Sequence, residues 1–177
     1  NTQLTNAGGN CLTVWGGDVD IVHSTIGQFY PFVANRGVAL YFSNKEGDAN
    51  YPFKRFSVAN SIITGYSSDE IMGVNGDDES TFNYSFTNCL LNTPAYESPE
   101  IINCLWDSNE NPVCRADNFA PAFDTDRLIY TFTLDSQSVA VGSADTNITM
   151  VTYPYDRLGY PRSTSPSMGC YEIQMTE

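Results

Sequence analysis

Four short segments of this chain repeat one local pattern. They are Val22-His23-Ser24-Thr25-Ile26, Val58-Ala59-Asn60-Ser61-Ile62-Ile63, Phe86-Thr87-Asn88-Cys89-Leu90-Leu91 and Ile101-Ile102-Asn103-Cys104-Leu105-Trp106. Each passes from a β-branched or aromatic residue through a polar Asn or His and a small residue into further apolar residues. A local pattern that recurs marks a repeat architecture, in which each turn of chain buries its apolar face by stacking on the next. The polar positions His23, Asn60, Asn88 and Asn103 lie 37, 28 and 15 residues apart. A parallel β-helix produces such spacing, because every coil must regain the same register while its loops bulge outward to any length. The expected fold class is therefore all-β: a right-handed, single-stranded parallel β-helix (solenoid) with a C-terminal capping segment.

The Asn side chains are expected to bond one another from coil to coil as a ladder, with His23 in the Asn slot of the first repeat. The 15-residue interval is short for a full coil, so Asn103 is expected to mark where the helix ends. Strands are expected around Cys11–Trp15, Val19–Val22, Val38–Phe42 and Phe56–Val58, separated by Gly, Asn and Asp clusters. A last strand is expected over Leu128–Leu134, after an irregular loop that begins at Asp107. The organisation read from the chain is thus coils over 1–106, loop and last strand over 107–136, and a cap over 137–177. The opening Asn1–Asn6 already reads like the middle of a repeat, so the chain is expected to be a piece of something longer.

Composition narrows the partners. Twenty-one acidic residues oppose eight basic ones, a net charge of −13. Such a surface suits neither nucleic acid nor an acidic membrane, both of which require clustered Lys and Arg. No apolar run reaches the ~18 residues that would span a bilayer. A neutral polysaccharide, a host or cell-surface glycan, or Ca²⁺ remains compatible with the charge. The five cysteines form no Cys-x-x-Cys pair and match no zinc spacing. They are expected to be free and buried, although Cys104 and Cys114 could bridge a loop.

The tail carries a more specific signal. Asp156-Arg157-Leu158-Gly159-Tyr160-Pro161-Arg162 is followed by Met168-Gly169-Cys170-Tyr171-Glu172. This resembles the closing segment of β-helix proteins that carry the choice-of-anchor Q domain, common on the surfaces of Bacteroidota. Asp156, Gly159, Arg162, Gly169, Tyr171 and Glu172 match, and Val139, Ser167-Met168 and Cys170 depart. The resemblance implies an extracellular or outer-surface location and says almost nothing about activity. A structural role is expected for the matching residues: Asp156 and Arg162 pairing to pin the Gly159 turn, and Tyr171 closing over the last coil.

Candidate chemistry is sparse. His23 is the only histidine, and its neighbour Ser24 points to the opposite face of a strand, so the two cannot cooperate. Asp18 and Asp20 share one strand face and are candidates for acid–base work on a glycosidic bond. Lys54 and Arg55 are candidate lyase bases, placed with Lys45 in outward loops. Asp77, Asp78 and Glu79 offer hard oxygen ligands for Ca²⁺, although the run also suits a solvated turn. Tyr30, Tyr41, Tyr51 and Tyr66, with Phe29, Phe32 and Phe53, fall in or beside loops and are candidates for stacking on sugar rings. The expected function is a non-catalytic extracellular module, glycan-binding or adhesive, with no cofactor beyond Ca²⁺. The alternative is a carbohydrate-active enzyme, a polysaccharide lyase or glycoside hydrolase.

Overall fold

The computed structural model describes residues 1–76, 78 and 81–173. The chain is β-rich, with strands gathered into three parallel sheets. The first sheet contains β1 (Gln3–Thr5), β4 (Thr25–Gln28), β9 (Ile62–Gly65), β12 (Leu90–Leu91) and β14 (Leu105–Trp106). The second contains β2 (Leu12–Trp15), β5 (Leu40–Ser43) and β10 (Ile71–Val74). The third contains β3 (Gly17–Val22), β8 (Phe53–Ala59), β11 (Phe82–Thr87) and β13 (Ile101–Ile102). A small antiparallel hairpin, β6 (Lys45–Glu46) with β7 (Ala49–Asn50), projects between β5 and β8. As far as β12, successive strands of these sheets visit the first, second and third in turn. The four expected strand regions correspond to β2, β3, β5 and β8.

The corner between the third and first sheets is where the repeated pattern acts. His23, Asn60, Asn88 and Asn103 have φ of 47°, 50°, 50° and 52°. This left-handed conformation disfavours most side chains and is tolerated best by Asn, Asp and Gly, with His also enriched. The backbone ladder continues through each corner: His23 N donates to Ala59 O, Asn60 N to Thr87 O and Asn88 N to Ile102 O, at 2.9–3.1 Å. The side-chain ladder is shorter than expected. Asn60 Nδ2 comes within 3.1 Å of His23 Nε2, but its hydrogens go to Asp145 O and Thr149 Oγ1 at 3.0 and 3.1 Å, and Asn88 and Asn103 make no side-chain ladder bond. Asn103 is exposed, where water satisfies an amide as well as a neighbour would.

The 15-residue interval has a structural explanation. After β12 the chain returns to the third sheet at β13 without adding a strand to the second, which ends at β10. Residues 92–100 cross the place where that strand would lie.

Two apolar clusters share the first sheet between them. One collects inward residues of all three sheets, including Ile26, Ile63 and Leu91, Leu40 and Phe42, and Phe56, Val58 and Phe86. Phe42 is stacked against Phe56 and Phe82, with centroids 4.8 and 5.3 Å away. The other lies on the opposite face of the first sheet, where Ile62 and Leu90 meet Phe29, Phe119, Phe132, Leu134 and Met168. Adjacent apolar residues such as Ile62-Ile63 and Leu90-Leu91 therefore serve two cores, as parallel strands buried on both faces do.

The C-terminal part covers that outer face, and several expectations change in consequence. Leu128–Leu134 forms no strand; it makes only isolated antiparallel bridges, Asp124 with Ile129 and Phe119 with Leu134. Phe132 and Leu134 are held by burial against the first sheet, while Leu128 and Ile129 remain exposed. Tyr171 reaches the first strand rather than the last coil, its hydroxyl donating to Gln3 Oε1 at 2.7 Å. Asp156 does not pair with Arg162 by a salt bridge. Its Oδ1 accepts the Leu158 and Tyr160 N–H groups at 2.8 and 2.9 Å, which holds the Gly159 turn, and its Oδ2 accepts Glu172 N at 3.0 Å. Arg162 instead meets Glu172, Nη1 to Oε2 at 3.3 Å, with both side chains buried. A seven-residue helix, α1 (Thr146–Thr152), lies against the corner, with its Asp145 cap accepting Asn147 N at 2.8 Å.

Gly169 is the tightest point of this docking. Its φ is +84°, and a Cβ there would sit 2.8 Å from both Ile62 Cδ1 and Thr25 Oγ1. Gly169→Ala is expected to cost about 2–4 kcal/mol, from the left-handed backbone and overpacking together. A lowered urea midpoint at unchanged m would record it.

Candidate functional site

The interruption of the second sheet builds an aromatic concavity. Because no strand follows β10, the inward-facing rings of Phe42, Phe82, Tyr84 and Phe86 are left bordering a cleft of about 380 Å³. Asp69, Ile71 and the segment Thr93-Pro94-Ala95-Tyr96 complete its rim. Tyr96 stands half exposed at the mouth, its ring 6.1 Å from that of Trp106. Its hydroxyl pKa is pushed up to about 12, first by burial and then by interaction with the Tyr84 hydroxyl. Tyr96 thus stays a neutral donor at any ordinary pH. An apolar, aromatic wall with a few convergent polar groups is the usual composition of a small-ligand site, and aromatic faces suit the apolar faces of sugar rings.

The charged candidates do come together, on the outer face of the third sheet. Lys54 and Arg55 lie on β8, not in outward loops as expected from their polarity. A bulge puts both toward solvent: the register with β3 shifts between the Gly17–Phe53 and Asp18–Arg55 pairs, so the adjacent Lys54 and Arg55 are both exposed while Phe53 and Phe56, three residues apart, turn inward. Register places Asp18 opposite Arg55 and Asp20 opposite Ser57. Arg55 Nε donates to Asp18 Oδ1 at 3.0 Å and Nη2 to Asp20 Oδ2 at 2.6 Å. All three side chains are 45–57% exposed, so the pairing contributes under ~1 kcal/mol to stability. A single guanidinium occupies both carboxylates, and Lys54 extends alongside. Lys45 lies in the β6–β7 hairpin.

The four tyrosines are not gathered; no ring contact joins any two of them. Tyr41 stands on the outer face of the second sheet, edge-on to Trp15 at 5.3 Å. Tyr66 is edge-on to Phe29 at 5.0 Å, with the Arg36 guanidinium 5.4 Å from its ring centre. Tyr30 meets Phe32 at 5.4 Å, and Tyr51 is exposed beside the hairpin. Phe29 and Phe53 are fully buried core residues rather than loop contacts. Of the Ca²⁺ candidates, Asp77 and Glu79 lie outside the described residues. The Asp78 carbonyl accepts Asn44 Nδ2 at 3.2 Å. Among the described residues no three His, Cys, Asp or Glu side chains are grouped to hold a metal, and no helix is long and apolar enough to cross a membrane.

Glu70, the residue after Asp69, is fully buried. Its carboxylate accepts Ala39 N at 3.0 Å and Ser67 N at 2.8 Å, tying the turn after β9 to β5. Burial raises its pKa against these bonds. Asp69 and Glu70 thus divide, one at the cleft rim and one in the framework. Tyr84 and Tyr96 were absent from the sequence candidates. The signal that could have found them is the 15-residue interval, which leaves a strand's worth of core uncovered beside them.

No protein-family model matches this chain, and no curated protein matches it.

Proposed function

We propose that the three sheets are the faces of one right-handed parallel β-helix, and that the protein is a non-catalytic extracellular module binding neutral glycans. The cyclic order of strands through three parallel sheets, with a shared core, supports the helix. The resemblance of the tail to choice-of-anchor Q proteins supports an outer-surface location of the Bacteroidota kind. The aromatic cleft carries the binding reading: it combines stacking faces with Tyr96, Tyr84 and Asp69 as hydrogen-bonding groups, at a volume suited to one or two sugar rings. The −13 charge disfavours acidic polysaccharides by repulsion.

The test is retention on a panel of neutral and acidic polysaccharides, with and without Ca²⁺. Tyr96→Ala is expected to weaken retention on the preferred neutral glycan about tenfold, the loss of one stacking contact. Unchanged retention by that variant would remove the cleft from the proposal.

A second reading, a lyase or hydrolase, draws on the joining of Asp18, Asp20, Arg55 and Lys54 on one sheet face. It makes a different prediction: new chain ends that vanish in Asp18→Asn and Asp20→Asn. Against it stands the pairing of both carboxylates with Arg55, which ties up the Asp18 and Asp20 oxygens that would have to meet a substrate.

A further inference from the structure

Cys89 and Cys104 occupy the same place in adjacent turns, directly after the left-handed corner. Ser24 and Ser61 hold that place in the two preceding turns. In all four the side chain bends back to the carbonyl two residues earlier. Ser24 Oγ donates to Val22 O at 3.1 Å, Ser61 Oγ to Ala59 O at 2.8 Å, Cys89 Sγ to Thr87 O at 3.4 Å and Cys104 Sγ to Ile102 O at 3.6 Å. The two cysteines are therefore stacked in one orientation.

Their backbones are locked in register on either side. Asn88 N donates to Ile102 O at 2.9 Å and Leu105 N to Cys89 O at 2.8 Å, and Leu90 pairs with Leu105. Neighbouring strands lie ~4.8 Å apart, within the ~4.4–6.8 Å between α-carbons that a disulfide spans. Both are free thiols. Cys89 is fully buried, whereas Cys104 is partly exposed and borders a surface hollow with Trp106, Ser108 and Val139. The thiols interact, which lowers the pKa of Cys104, while burial pushes that of Cys89 up. The attacking and the resolving sulfur are thereby distinguished. Cys114 is no part of this arrangement; its Sγ lies 3.5 Å from Asn109 Oδ1.

We propose that Cys89 and Cys104 form a modification site that takes a low-molecular-weight disulfide, such as oxidised glutathione, and closes to an inter-turn disulfide. The Cys104 thiolate attacks one sulfur of the reagent, forming a mixed disulfide and releasing one reagent thiolate. Cys89 then loses its proton and attacks the Cys104 sulfur, and the second reagent thiolate departs. The two cysteines are oxidised, the reagent disulfide is reduced, and the two thiol protons end on the released thiols. The product ties the last strand of the first sheet to the strand before it, beside the cleft.

The experiment is incubation of the full chain with oxidised glutathione, followed by peptide mass mapping without reduction. The expected result is a loss of two hydrogens and a linked peptide pair containing residues 89 and 104. A melting temperature raised by about 5–10 °C and restored by dithiothreitol is also expected. Cys89→Ser is expected to fold, because Ser fills the same position at 24 and 61, and to retain a glutathione adduct on Cys104. Cys104→Ser is expected to form no 89-containing link. A persistent adduct on Cys104 in the unaltered chain, closure onto Cys114, or no reaction at either thiol would each overturn the proposal.

Discussion

Lowering the pH from 7 to 4 is expected to remove about 3 kcal/mol of stability through His23 alone, and His23→Asn is expected to abolish that loss. His23 is fully buried, and its pKa is lowered to about 3. Burial is the main cause, followed by the Arg162 guanidinium. The hydrogen bonds give the reason in atomic terms. Thr149 donates its hydroxyl hydrogen to Asp145 O at 2.7 Å, so its oxygen accepts from His23 Nε2 at 2.8 Å. The second proton would go to Nδ1, which is buried and makes no well-formed hydrogen bond; the Gly169 backbone favours the charged ring, but less than burial and Arg162 oppose it. The unfolded chain binds a proton below pH ~6.5 and the folded one only below about 3, so stability falls as the pH drops through that window. Glu70 acts in the opposite sense, since burial raises its pKa and favours the folded state in acid. Comparing the two chains at each pH cancels its contribution. Asn occupies the equivalent corner at 60, 88 and 103 with the same φ, so the variant keeps the backbone. At pH 7 it is expected to be slightly less stable, by ~1 kcal/mol for the lost Thr149 bond. Urea midpoints at pH 7 and 4 would show the order of stabilities reversing; parallel decline of both chains would refute the assignment.

Glu172→Ala is expected to destabilise the protein by about 3–5 kcal/mol, or roughly 10 °C in Tm, because it leaves a buried guanidinium unpaired. Arg162 makes three further bonds besides that to Glu172: to Ser167 O at 3.2 Å, Gly169 O at 2.9 Å and Asn1 Oδ1 at 2.9 Å. These orient the charge but do not neutralise it. Replacing both partners with apolar residues, Arg162→Met with Glu172→Met, is expected to recover much of the loss, since no charge then needs desolvating. Calorimetry on the single and double variants would decide. A double variant as unstable as Glu172→Ala would show that the cost lies in lost hydrogen bonds, those of Arg162 to Asn1, Ser167 and Gly169 and those of Glu172 from Ser167 N and Oγ at 3.0 Å, rather than in the unpaired charge.

Much of the framework was legible because it is local. The polar residues at 23, 60, 88 and 103 mark corners, since a left-handed backbone selects residue types at single positions. Their shortened last interval reads as the end of the helix near Asn103, whereas its structural cause is a strand missing from the second sheet. The acidic pair at 18 and 20 was correctly placed on one face by strand periodicity. Its partner was misplaced, because the polarity of Lys54 and Arg55 looks the same on a solvent-facing strand as in a loop. The apolar doublets Ile62-Ile63 and Leu90-Leu91 read on the sequence only as parts of the repeat; their burial on two faces emerged with the segment that covers the second.

The sequence by itself determined the repeating turn: which residues curve the chain, which point inward, and how far apart the corners fall. Only the tertiary structure decided where the last third of the chain goes. Arg162 meets Asn1, Tyr171 meets Gln3 and Cys170 N donates to Thr25 Oγ1 at 3.1 Å. Each contact joins the two ends of the chain. Corner chemistry leaves a mark on the residue that adopts it, but a contact across so much sequence follows from shape and charge complementarity between surfaces that exist only after the sheets have formed. For that reason the tail's Arg, Tyr and Glu were recognisable as structural residues, while their partners were not.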